Sequence, residues 1–86
     1  MERTELEAKI IELVSICYDK PLDSLSLETS FKDDLSGASV QMVALAAEIE
    51  NELDAFIQLQ DAAACETIKD LVDLVEEELG SRRTER

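Results

Sequence analysis

Apolar residues recur along this chain at intervals of three and four, and nearly all of them are aliphatic, a pattern that restricts the fold to a small helical body. Leu6, Ile10, Leu13, Val14 and Cys17 fall on one face of a 3.6-residue repeat. Met42, Leu45, Ala46, Ile49 and Leu53 repeat the pattern, as do Ile68, Leu71, Val72, Val75 and Leu79. Aromatic residues make up 3% of the chain, as Tyr18, Phe31 and Phe56, so Leu, Ile, Val and Ala must build the core. Such a composition suits helices better than a sandwich or barrel. At 86 residues the chain has material for one small core, and a single domain over 1–86 is expected.

Local signals set the boundaries. The first helix is expected from about Glu5 to Tyr18. Thr4 followed by Glu7 has the spacing of a reciprocal cap at its start, and Asp19-Lys20-Pro21 stands at its end, because proline disfavours helical geometry in the residue before it. From Pro21 to Gly37, isolated apolar residues at Leu22, Leu25, Leu27, Phe31 and Leu35 alternate with Ser and Asp. This reads as a long ordered loop packed down on the core. A second helix is expected from Ser39 to Asp54, and a short one around Gln60 to Cys65. The last helix is announced by a looser cap of Thr67 with Asp70 and is expected to stop at Gly80. The tail 81–86 is expected to be disordered. The fold class is therefore all-α: a small bundle of three main helices plus one short helix, with a long loop between helices one and two.

The net charge is −13, from 21 acids against 8 bases, and between Asp33 and Ser81 Lys69 is the only base. Nucleic acid is excluded as a natural partner, because binding it requires Lys and Arg to displace condensed counterions. A partner with a basic surface would instead be steered in, although acidity also serves solubility. No apolar run approaches the roughly 20 residues of a membrane span, and no basic leader opens the chain, so the cytoplasm is the expected compartment; a monomer is expected as well. With no histidine, neither a Ser-His-Asp nor a Cys-His arrangement can form, and neither a glycine-rich phosphate loop nor a paired-cysteine motif is present. Asp33-Asp34 and Glu76-Glu77-Glu78 read as solvated charge rather than as an acid/base pair or a metal site. Cys17 and Cys65 lie on apolar faces and are expected to be buried free thiols.

The segment Ser30-Phe31-Lys32-Asp33-Asp34-Leu35-Ser36-Gly37-Ala38-Ser39-Val40 resembles the signature of acyl and peptidyl carrier proteins, in which a Phe-x-x-Asp-Leu turn leads through a glycine loop to a serine opening helix two. The resemblance continues over nearly the whole chain, to Glu66-Thr67-Ile68-Lys69-Asp70, where the family opens its last helix. It implies a non-catalytic carrier with 4′-phosphopantetheine, taken from coenzyme A, on Ser39. Ser36 competes nearby but stands where the family has glycine. A serine in the first turn of a helix also places a phosphodiester beside free backbone N–H groups and the positive end of the helix dipole, although an ordinary N-cap serine occupies the same place.

The resemblance further implies a phosphopantetheinyl transferase and acyl- or aminoacyl-loading and processing enzymes as partners. They would meet Val40, Val43 and Ala47 beside the serine and the acids Glu48 and Glu50 further along the helix. Ala38 stands where the family has aspartate, and Gln41 and Ala44 where further acids are common, which points to a specialised carrier with a dedicated pathway. The alternative is an unmodified acidic helical domain that binds a basic protein partner.

Overall fold

The computed structural model describes residues 2–33 and 39–84, with side chains at 2–33 and 40–80. It contains α1 (Arg3–Tyr18), a 3₁₀ turn (Leu22–Ser24), α2 (Ser39–Leu53), α3 (Leu59–Ala63) and α4 (Ile68–Thr84). The expected all-α class is observed. Among the described residues extended pairing is confined to the single bridge Ser30–Thr67.

The three aliphatic stripes close on one another. Leu6, Ile10, Val14, Leu45, Ile49, Ile68, Leu71, Val72 and Val75 are each no more than 2% exposed. Ala46 is half-buried on the flank of α2 rather than in the core. Lys9 pairs with Glu52 at 3.1 Å while Cys17 lies in the field of Glu48, so α1 and α2 run antiparallel. Arg3 reaches Asp73 and Glu76 on α4, whereas Tyr18 packs on Phe31, whose backbone N–H donates to Glu66 just before α4. Thus α4 also runs opposite to α1. One end of the bundle gathers the finish of α1 and the starts of α2 and α4.

Two boundaries differ from the sequence expectation. Helix α1 starts at Arg3, capped through Glu2 and Glu5, and the Glu5 carboxylate accepts the Glu2 N–H at 3.3 Å. Thr4 lies inside the helix rather than at its cap, and Glu7 pairs with Arg3 at 2.8 Å. Helix α4 passes through Gly80 to Thr84. Gly80 does not take the positive φ by which glycine stops a helix, so it continues the repeat. That conformation appears instead at Asp19 (φ 55°) after α1 and Asp54 (φ 56°) after α2.

The long loop is ordered by what it supplies to α4. A helix leaves its first N–H groups without internal partners. Here the Ile68 N–H donates to the Thr29 carbonyl at 3.1 Å and the Lys69 N–H to the Leu27 carbonyl at 2.9 Å. The Asp70 carboxylate accepts from Glu66 and Thr67 N–H at 3.1 and 3.2 Å, and the Thr67 hydroxyl accepts from the Asp70 N–H, which completes the cap expected from sequence. Phe31, 5% exposed, anchors the loop from below, with Leu25 and Leu27 partly buried beside it. Leu22 is exposed, and Leu35 and Gly37 lie outside the described residues.

Candidate functional site

Ser39 is the first residue of α2, at the end of the bundle where α4 also begins. The helices differ at their first turns. Glu5 in α1, Asp61 in α3 and Asp70 in α4 supply acids there, whereas α2 has none. The positive dipole end of α2 therefore has no carboxylate of its own first turn to neutralise it, which suits an anion attached at Ser39. Ser36 and Ala38 fall outside the described residues.

From Ser39 the outward face of α2 is apolar and then acidic. Val40 is 75% exposed and Val43 48%, and Ala47 and Glu50 are exposed as well. A period of 3.6 puts these four on one stripe. Glu48 stands off that stripe, half-buried toward α1, where its charge acts on Cys17. Glu52, beyond it, is held by Lys9.

The thiols are quiet. Both cysteines are free and only half-buried, not fully buried as expected. Burial pushes the Cys17 thiol up, helped by Glu48. Cys65 is pushed up to about 11 by burial and then by the carboxylates of Asp70, Asp61 and Asp73. A protonated thiol is a poor nucleophile.

Two polar atoms at this end escaped sequence reasoning. The Tyr18 hydroxyl and Gln41 Oε1 are buried without a hydrogen-bond partner. Such a group costs about 1–3 kcal/mol. The available signal was Gln41 itself, a polar residue on the side of α2 that faces α1. Among the described residues no group of three or more potential metal ligands occurs. No helix there is long and apolar enough to cross a membrane.

The sequence profile described as the phosphopantetheine attachment site matches residues 8–75. Acyl carrier protein 3 of Ralstonia nicotianae is 31% identical over 74 residues, which span 86% of this chain and 85% of that protein. The acyl carrier protein of Exiguobacterium sp. is 28% identical over 79 residues, 92% of this chain and 100% of that one. The crystal structure of an acyl carrier protein from Thermotoga maritima matches with a TM-score of 0.75 at 31% identity, covering 94% of each chain. This chain belongs to the acyl carrier protein family. The group that defines the family's attachment site is covalent 4′-phosphopantetheine, and the bare first turn of α2 fits its phosphate.

Proposed function

We propose that Ser39 bears the phosphopantetheine arm and that the chain is a carrier with no catalysis of its own. The observation that carries this reading is the start of α2: a serine at the first position, no acid in the first turn, and Val40 exposed beside it. A phosphopantetheinyl transferase would move the arm from coenzyme A to the Ser39 hydroxyl. When bound, the arm supplies a terminal thiol that holds an acyl or aminoacyl group as a thioester. The residues of α2 would orient this arm: the first-turn N–H groups would hold its phosphodiester, and the Val40–Val43–Ala47 stripe would offer a partner enzyme an apolar footing. Glu50, and Glu48 at its edge, add acids that a basic partner surface would meet. Tethering raises the local concentration of the cargo at successive active sites without releasing it. Departures from the family signature at Ala38, Gln41 and Ala44 favour a dedicated set of enzymes over a general one.

Incubation of the purified chain with coenzyme A and a broad-specificity transferase tests the assignment by intact mass. Wild type gains one phosphopantetheine group and Ser39→Ala gains none. No gain by wild type removes the carrier reading, and a gain by the alanine variant moves the site elsewhere.

A further inference from the structure

Between the finish of α1 and the first half of the long loop lies a cleft of about 640 Å³, walled by residues from Lys20 to Thr29 and by none of α2. Its volume falls within the roughly 300–1,000 Å³ of small-molecule sites. The walls are fixed by hydrogen bonds. The Lys20 N–H donates to the Ser15 carbonyl at 3.1 Å, and the Ser15 hydroxyl donates to the Lys20 carbonyl at 2.6 Å. At the other wall the Thr29 carbonyl is tied to α4 through the Ile68 N–H. The cleft is therefore formed before any ligand arrives.

The unspent polar groups of the lining are mostly donors. The Pro21 carbonyl is taken by the Ser24 N–H and hydroxyl, and the Ser26 carbonyl by the Thr29 N–H. Among the described residues ion pairs engage only Arg3 and Lys9 of the bases, which leaves the Lys20 ammonium unpaired in the lining. Thr29 lines the cleft although it is only 6% exposed; its hydroxyl accepts from the Ser26 N–H at 2.8 Å and keeps its own proton to give. Ser26 adds an exposed hydroxyl. Three donor groups around one cavity suit an oxyanion, and the three terminal oxygens of a phosphate can answer all of them where a carboxylate has two. Glu28, the one acid in the lining, repels a bare anion and accepts from a hydroxyl on the same ligand. Pro21 and Leu25 give the ligand's carbon skeleton an apolar wall.

We propose that this cleft is a binding site for a ribose phosphate, with the phosphate held by Lys20, Ser26 and Thr29 and a ribose hydroxyl donating to Glu28. A free sugar phosphate and the nucleotide portion of coenzyme A share that chemistry. The site stands whether or not Ser39 carries an arm.

The test follows the amide chemical shifts of the full chain by NMR as ribose 5-phosphate, adenosine 3′,5′-bisphosphate, inorganic phosphate or ribose is added. One or both ribose phosphates should give saturable shifts concentrated in residues 20–29, with inorganic phosphate and ribose each binding at least about tenfold more weakly. Tighter binding of the bisphosphate assigns the site to the nucleotide, and tighter binding of ribose 5-phosphate assigns it to the free sugar phosphate. Lys20→Gln should weaken the bound ribose phosphate about tenfold and Ser26→Ala by less; both positions are exposed, so the fold survives the change. Glu28→Gln should strengthen inorganic phosphate and shrink the preference for the ester, which a merely structural glutamate would not do. No saturable shift with either ribose phosphate up to about 10 mM overturns the proposal. So does equal binding of inorganic phosphate by wild type, the mark of plain charge attraction, or binding that Lys20→Gln leaves intact.

Discussion

At the end of the bundle where α1 begins, Arg3 spans Glu7, Asp73 and Glu76 at 2.6–2.8 Å, and nearby Lys9 links Glu12 and Glu52. At the end where α1 finishes, the described residues form no such pair. Backbone hydrogen bonds from α4 to the loop, the Phe31 anchor and the Asp70 cap hold it together. In a chain of net charge −13, cations are scarce, and two of the eight tie three helices together away from the serine. The outward stripe of α2, Val40, Val43, Ala47 and Glu50, runs exposed from the serine end toward the closed one. The closed end is held by side-chain charge, and the described part of the other end is ordered by backbone and apolar contacts.

The largest effect expected is at the serine end. Phe31→Ala should lower unfolding stability by about 3–5 kcal/mol in urea titration, because a buried aromatic ring leaves a cavity beneath the loop. A loss below 1 kcal/mol would show that the loop does not depend on its anchor. Asp70→Ala removes a carboxylate that accepts two N–H groups and should cost about 1 kcal/mol, with faster amide exchange at Glu66 and Thr67. Change confined to the far end of α4 would contradict the capping role.

Smaller and salt-dependent is Arg3→Gln at the closed end. Its melting midpoint should fall below wild type in dilute buffer, and the gap should narrow in 1 M salt, where exposed charges are screened. A gap unaffected by salt would mean that Arg3 acts through packing of its stem.

Least visible is Cys65. Its folded pKa near 11 exceeds that of an unfolded thiol, so the stability it contributes is intact below the unfolded pKa and is lost as pH rises toward 11. At pH 8 its alkylation should be about tenfold slower than that of an ordinary thiol, the smaller thiolate fraction being partly offset by the greater nucleophilicity of a more basic thiolate. Alkylation of Cys65 at the rate of a model thiol would overturn its environment. In the loaded protein the arm's thiol should react first.

The helices were legible because each is written in a local period. The stripe Leu45–Ile49 and the pair Thr67–Asp70 led to α2 and to the cap of α4 with no tertiary information. Spacing suits Glu7 to a cap with Thr4, but the helix begins at Arg3, which puts Thr4 inside it, and Glu2 with Glu5 forms the cap instead. Gly80 suggests a stop because glycine tolerates positive φ, yet tolerance is not obligation, and α4 runs on. In the site, Ser39 and the Val40–Val43–Ala47 stripe lie one after another on a single helix and could be placed from the repeat. Glu48 could not, since which acid faces a partner and which faces Cys17 depends on where α1 lies.

By itself the sequence determined an aliphatic all-α bundle, an acidic surface and a serine at the head of a helix, because periodicity, charge count and motif order are properties of a single strand of text. The tertiary structure alone decided which charges pair, how the long loop caps α4, and that Tyr18 and Gln41 share one end with unmet hydrogen bonds. Those facts depend on the antiparallel register of α1 against α2, which is set by core packing between residues some forty positions apart in the chain.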